Sequence, residues 1–266
     1  MVAEEQQDSE ILYHRAERNG TIWAEIALNR PEKANALTMT MMATLANLIG
    51  EIESDREVRA VVLRGRGRFF CAGGDIEAWG SLSPQDMAER WILPGIRVLN
   101  RLAGLPVPVL AVLSGHALGG GLELALAADL RIAQKSAKLG VPEVALGMIS
   151  GWGGVRRLAE TIGVARARHM TILGESITAE QALDWGLVTA VADHEADLES
   201  HVVTWLERLC GNAPGAIALT KGILATMHGD FAQQHASAAA EASGTADCNE
   251  GVRAFLEKRK PVFRNL

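Results

Sequence analysis

The stretch Val107–Leu130 is the most apolar in the chain, and the way it is interrupted leaves few folds open to it. Ser114, His116, Glu123 and Asp129 fall inside it, and the triplet Gly119-Gly120-Gly121 splits it in two. Polar and charged groups at that spacing make a bilayer span costly, so the stretch reads as part of a packed interior. Val107–Leu113 has the pattern of a strand with proline at its edge. Ser114–Gly121 reads as a loop, and Leu122–Asp129 as a helix with no polar face apart from Glu123.

The same strand, glycine-rich turn and helix order recurs along the chain. Thr21–Leu28 alternates, with Ile22, Ala24, Ile26 and Leu28 on one face, and Pro31 stops it. Thr38 is placed as the N-cap of a helix to about Ser54, with Met42, Leu45, Leu48, Ile49 and Ile52 on one side. Arg59–Arg64 reads as a buried strand entering a glycine-rich segment that runs to Asp75. A helical region is predicted over about Pro84–Leu105, and short strands over Leu130–Ala133 and Ala137–Leu139. Strand signals stop near Val191. From Ala196 to Lys260 the pattern is helical, punctuated by Pro214 and Gly229. The expectation is an α/β body over 1–195 and an all-helical region over 196–266, without a linker between them.

Composition narrows the function classes. The net charge of −6 is the wrong sign for a nucleic-acid binder. Three cysteines, Cys71, Cys210 and Cys248, form neither an even set nor a metal-type pair, which suits a reducing compartment. The first ten residues are acidic and polar, unlike a secretory leader, so a cytoplasmic protein is expected.

Two glycine-rich turns each follow a strand: Phe69–Asp75 and Ser114–Gly121. Glycines at a helix start leave N–H donors bare, and such donors can meet an anion or a developing oxyanion. Glycines equally serve tight turns and close packing. Neither turn has dinucleotide-fold or phosphate-loop spacing. Glu123 sits in the apolar helix, where a carboxylate is costly unless paired or used. Glu143 follows Pro142 among apolar residues, twenty positions later. Alone, each has a structural explanation as a carboxylate at a helix start. Together they suggest paired carboxylates for acid/base work. Ser114, His116 and Asp129 do not make a nucleophile motif. The histidines show no metal spacing, and Cys71 reads as a small packed side chain, with His116 a possible pocket residue.

Five ordered blocks resemble the crotonase (enoyl-CoA hydratase/isomerase) superfamily. They are Asn29-Arg30-Pro31 with Asn35–Thr38; Phe70–Asp75; Ser114–Gly121 with Glu123; Pro142-Glu143 with Leu146-Gly147; and Gly153-Gly154 with Arg157-Leu158. The tail Ala254–Phe263 is similar to the family's end. The resemblance implies a spiral of ββα units, with a C-terminal helical region that builds a homotrimer or a dimer of trimers. It implies an acyl-CoA thioester as substrate, with CoA part of the substrate, no separate cofactor and no metal. By position the oxyanion hole is Ala72 and Gly120, and the catalytic pair is Glu123, activating water, and Glu143, donating the proton. Lys33, Ala34, Gly73, Gly74, Asp75 and Ile76 would line the CoA and substrate path. Phe255 and Lys258, taken as neighbours on one helix face, would reach CoA in an adjacent subunit. The intact glutamate pair implies an enoyl-CoA hydratase. An isomerase moving a 3-enoyl to a 2-enoyl double bond and a non-catalytic binding protein are the alternatives. Ser150, Trp152, Ser114 and His116 depart from the family pattern, and the acyl wall is expected between Ile76 and Leu105, with Trp79 and Trp91.

Overall fold

The computed structural model describes residues 9–18, 20–225 and 231–264, with side chains for all of these but 231–236. The acidic segment at the start and Gly229 lie outside the described residues. Among the described residues ten strands form two sheets. The larger has the order β1 (Ile11–Arg18), β2 (Thr21–Leu28), β3 (Val58–Gly65), β5 (Val109–Leu113), β7 (Leu130–Gln134) and β10 (Ala190–Ala192). The smaller has the order β4 (Phe69–Cys71), β6 (His116–Leu118), β8 (Lys138–Gly140) and β9 (Ser176–Thr178). In the larger sheet β1 and β2 are antiparallel and the other pairs parallel. In the smaller one only β8 and β9 are antiparallel.

The helices follow as α1 (Met39–Ser54), α2 (Ile76–Trp79), α3 (Pro84–Asp86), α4 (Leu93–Ala103), α5 (Gly120–Leu126), α6 (Gly154–Ile162), α7 (Val164–Leu173), α8 (Ala179–Asp184), α9 (Glu195–Gly211), α10 (Pro214–Ala225), α11 (Phe231–Ser243) and α12 (Ala246–Leu256). Three times the chain gives one strand to the large sheet, the next to the small sheet, and then a helical turn or helix. The first unit is β3, β4 and α2, and the second is β5, β6 and α5. The third is β7, β8 and a 3-10 turn at Pro142–Leu146. This is the expected spiral of ββα units.

Local chemistry explains the elements. Thr38 caps α1 by accepting from the Met41 N–H at 3.1 Å, and the buried side of α1 is Met41, Met42, Leu45, Leu48, Ile49 and Ile52. Strand β5 is buried at all five positions, because both faces of its sheet are covered, and so it lacks alternation. One apolar cluster fills the space between the sheets, α1 and α4. A second lies on the outer face, where Leu198, Val202 and Leu206 of α9 cover Ala60, Val62, Leu110, Val112 and Ile132. Helix α9, which follows the boundary expected at 195, thus packs directly on the large sheet. Helix α10 is tied to the α/β body by Lys221, which bonds Asp129 at 2.6 Å and the Val107 carbonyl at 2.8 Å. Arg131 is buried at the end of α5, within the field of Asp129. It donates to the carbonyls of Ala128 and Leu187 at 2.6 and 2.7 Å.

Two differences from the sequence reading concern strands. Strands β4 and β6 lie inside segments read as loops, and β1 was not anticipated. The region over 84–103 is helical as expected, with a π-helical turn at Met87–Ile92 between α3 and α4. No helix among the described residues is long and apolar enough to cross a membrane.

Candidate active site

The first glycine-rich turn leaves β4 and is stitched to the segment before α1. The Leu37 N–H donates to the Gly73 carbonyl and the Asp75 N–H to the Leu37 carbonyl, both at 2.8 Å. The Ala72 N–H donates to the Ala34 carbonyl at 3.0 Å, and the Gly73 N–H meets the Cys71 sulfur at 3.4 Å. Gly74 is left as the residue of this turn whose N–H has no partner among the described residues. Asn35, fully buried, braces the same stitch: its side chain accepts from the Arg30 N–H and donates to the carbonyls of Arg66 and Phe69.

The second turn places Gly119 at φ 52° and ψ −129°, a conformation that only glycine takes at low cost. Its N–H donates to the Gly140 carbonyl at 2.9 Å. Gly120 then opens α5, so its N–H has no intrahelical acceptor. The turns touch. A Cβ on Gly120 would stand 3.4 Å from the Gly74 nitrogen, and a Cβ on Gly73 would stand 3.3 Å from the Gly120 nitrogen. At Gly121 a Cβ would collide with the Cys71 carbonyl, so glycine there permits α5 to approach β4.

Glu123, on α5, is 2% exposed. Its Oε1 accepts from the N–H groups of Trp152 and Gly154, at 2.8 and 2.6 Å. Burial pushes its carboxyl up to about 7, and the charge of Glu143 pushes the same way, while the two N–H donors act against them. Glu143 stands half-buried on the 3-10 turn at Pro142–Leu146. Burial raises its carboxyl too, and a hydrogen bond from Ser150 opposes the rise. Its Oε2 is buried with no hydrogen-bond partner among the described residues. Its Oε1 comes within 2.8 Å of where a Cβ on Gly119 would stand, so that glycine also makes room for the carboxylate. Both glutamates, both turns, Trp79, Trp91 and Trp152 line one cleft, with a cavity of about 100 Å³. Two carboxylates of raised pKa facing two bare N–H donors can move protons beside a stabilised oxyanion.

The sequence matches the family model described as Enoyl-CoA hydratase/isomerase over residues 17–265. The chain belongs to the enoyl-CoA hydratase/isomerase family. It is 36% identical to a probable enoyl-CoA hydratase of Bacillus subtilis, over 91% of this chain and 95% of that protein. It is 37% identical to the short-chain-enoyl-CoA hydratase of Clostridium acetobutylicum, over 92% and 94%. Its fold superposes on the crystal structure of an enoyl-CoA hydratase from Bacillus anthracis with a TM-score of 0.90. That match has 33% identity and covers 97% of this chain and all of the other, 100%. The chain is a crotonase-fold hydratase-type enzyme acting on an acyl-CoA thioester.

Within this family member, the expected residues are placed unevenly. Glu123, Glu143, Gly73, Gly74, Gly120 and Ile76 meet at the cleft. Ala72 lines it but does not offer its N–H, which the Ala34 carbonyl takes; of the expected hole of Ala72 and Gly120 only Gly120 keeps a bare N–H, with that of Gly74 beside it. Asp75 lies outside the cleft lining. Its carboxylate caps α2 and pairs with Arg30 at 2.5 Å, which holds it below the usual carboxylate range. Lys33 is exposed and bonds Glu77 at 3.3 Å, while Ala34 turns the chain at φ 53°. Phe255 is 82% exposed on α12. Lys258 does not share its helix face: α12 ends at Leu256, and Lys258 lies beyond it at φ 53°. His116 is not a cleft residue, since its Nδ1 accepts from the Lys138 N–H and its ring packs on Phe69. Cys71 is fully buried, and burial pushes its thiol up to about 12, so it stays an inert packed group.

The sequence reading did not find the N–H pair of Trp152 and Gly154 that holds Glu123, nor the Ser150 contact to Glu143. All three lie in one short glycine-rich loop, whose departures from the family pattern were the available signal. Among the described residues no group of His, Cys, Asp and Glu could hold a metal ion.

Proposed function

We propose that the protein hydrates 2-trans-enoyl-CoA to 3-hydroxyacyl-CoA, with Gly74 and Gly120 as the oxyanion hole and Glu123 and Glu143 as the acid/base pair. The observation that carries this reading is the convergence of both carboxylates on a cleft that also presents the two bare N–H groups. The thioester oxygen sits between the N–H groups. They bind the enolate oxygen more strongly than the neutral carbonyl, which is the condition for rate enhancement. Each such donor contributes roughly 3–4 kcal/mol to the transition state.

The two glutamates differ in how they are held, and this supports a division of labour. Glu123 receives two backbone N–H bonds on one oxygen, which favour its charged form and suit a base that takes a proton from water. The water oxygen then bonds C3 as the π electrons move to the thioester oxygen. Glu143 has a buried oxygen without a donor, the environment of a carboxylic acid that keeps its proton. It delivers that proton to C2 as the enolate collapses. The charge of Glu143 raises the proton affinity of Glu123, which links the two titrations.

The same reading extends to assembly and location. Val252, Phe255, Leu256 and Val262 are exposed and apolar at the C-terminal end of the described chain. They support a division into a catalytic body and a helical oligomerisation region, assembled as a trimer or a dimer of trimers. Lys33, Ala34 and Ile76 line the CoA path of their own chain, and Phe255 and Lys258 reach CoA in a neighbour. The protein works in the cytoplasm, without nucleic acid, metal or a cofactor beyond the substrate's own CoA.

The test is loss of the enoyl-thioester absorbance on adding crotonyl-CoA, run beside conversion of a 3-enoyl-CoA. Turnover of crotonyl-CoA is expected. Rapid double-bond migration with little hydration would replace the hydratase reading by the isomerase one.

A further inference from the structure

Two tryptophans that take no part in the proton transfers stand against the two glycines of the proposed hole. A Cβ on Gly120 would lie 2.7 Å from Cζ3 of Trp152, and a Cβ on Gly74 would lie 2.7 Å from Cζ2 of Trp91. Each indole therefore occupies the space a side chain would have taken, in contact with one donor residue. The rings are 5.2 Å apart and tilted by 44°, a packed pair. Both are buried, at 2% and 7% exposure.

The pair is fastened at several points. The Trp152 indole N–H donates to the Trp91 carbonyl at 3.2 Å, and that carbonyl belongs to the π-helical turn Met87–Ile92. π-helical turns inside α-helices occur often at functional sites. The Trp152 carbonyl accepts from Arg157 at 3.0 Å, and Arg157 reaches Asn100 at 2.6 Å on α4. Gly95, also on α4, has no side chain where one would run into the Trp152 ring. A bulky residue with a cleared seat, a hydrogen-bonded edge and a braced backbone is a fixed wall.

We infer that the paired indoles of Trp91 and Trp152 close the acyl end of the cleft and restrict the protein to short, linear enoyl groups. With the thioester carbonyl at Gly74 and Gly120, C2 and C3 face the glutamates. The carbons beyond C3 then run against the indoles. Both indoles stand in the cleft lining against the two hole glycines, with Ile92 beside them, and so narrow the room left for those carbons. The reaction in this statement rests on the hydratase reading, but the length restriction concerns binding and is measured separately.

The experiment has two arms, on wild type and on the Trp152→Ala, Trp91→Ala and Trp152→Phe variants. The first arm is calorimetric binding of butyryl-CoA and decanoyl-CoA, which are saturated and cannot be hydrated. The second is kcat/KM for crotonyl-CoA and 2-decenoyl-CoA. Wild type is expected to favour the short member by at least about 10-fold in each arm. Each alanine variant should erode that preference by about 10-fold, the order of magnitude of one or two methylenes in an apolar pocket. Trp152→Phe keeps most of the bulk and loses the indole N–H. It should retain the length preference while crotonyl-CoA turnover drops several-fold, a split that general unfolding would not give. Trp91→Ala carries the test if Trp152→Ala does not fold. Equal or tighter decanoyl-CoA binding by wild type would overturn the inference. So would a folded alanine variant with an unchanged ratio in both arms. A length preference in binding without any hydration would sustain the wall and sink only the hydratase reading.

Discussion

Helix α5 around Glu123 is buried at every position, whereas the turn that carries Glu143 runs directly into four exposed residues, 144–147. Both regions deliver a carboxylate of raised pKa to the same cleft, but they do so by different means. Glu123 is fixed from a neighbouring segment, by the N–H groups of Trp152 and Gly154. Glu143 is held mainly by what surrounds it, with its own backbone N–H and the Ser150 side chain opposing the rise of its pKa. The contrast teaches that a buried helix can hold a charge only if a second segment supplies donors. A turn at the cleft edge holds an acid with far less support. The sealed glutamate suits a base of constant geometry, and the edge glutamate suits an acid that reaches the substrate.

The comparison breaks most decisively if either carboxylate proves dispensable. Glu123→Gln and Glu143→Gln should each lower crotonyl-CoA hydration by at least about 10²-fold, the lower end of a general acid/base contribution. The double variant should lose far less than the product of the two, because the residues act as a unit. Unchanged hydration in the Glu143→Gln variant would end the two-carboxylate mechanism.

A smaller effect sharpens the role of the second segment. A Cβ on Gly154 would collide with the Cγ of Glu123. Gly154→Ala should therefore cost roughly 1–3 kcal/mol of stability, as overpacking does, and reduce hydration by about 10-fold or more. Thermal melts and kcat for the pure variant measure both, and a variant indistinguishable from wild type would show that the loop yields freely.

Next in size is a linkage effect on stability. The folded-state pKa of Glu123, about 7, lies above its ordinary value of 4.5. Its protonated form thus favours the folded state. That contribution is complete below about pH 4.5 and is lost as the pH rises through 7. Glu123→Gln removes the loss, so its Tm relative to wild type should rise between pH 5 and pH 8 by at least about 3 °C, scaled from ~1 kcal/mol in a chain of this size. A pH-independent difference would mean that Glu123 titrates alike in both states.

The smallest effect tests the edge glutamate. Ser150→Ala removes a hydrogen bond that holds the Glu143 pKa down. The alkaline limb of the kcat/KM profile should move to higher pH, with a change of only a few-fold at neutral pH. Movement to lower pH would reverse the assignment of Glu143 as the acid.

Sequence and structure agree where the determinants are local. Helix α1 is readable because its apolar positions keep the 3.6 period and Thr38 caps it. Strand β5 is readable as a continuous apolar run, and the two glutamates are readable because carboxylates in apolar surroundings demand an explanation. Strand β1 escaped because it is an edge strand with His14, Arg15, Glu17 and Arg18 on or near its solvent side. Strands β4 and β6 are three residues each, too short to show a period. The expectation that Ala72 offers a free N–H fails for a non-local reason. Which N–H stays free depends on how Ala34 and Leu37 pair with a turn nearly forty residues away. Lys258 leaves the helix because Glu250 draws Arg259 and the Val262 N–H back onto α12, a fold-back that no periodicity announces.

Arg131 gives α5 an electrical asymmetry. A short helix carries partial positive charge at its N-terminal N–H groups and partial negative charge at its last carbonyls. In α5 the negative end is met by a full guanidinium charge, buried and donating to Ala128 and, more weakly at 3.4 Å, to Ala125. Seen from the cleft, the helix behaves less like a dipole, whose two ends cancel with distance, and more like a single positive pole centred on Gly120. An anion held at the Gly120 N–H would meet a field whose opposing half is offset within the same unit of the fold.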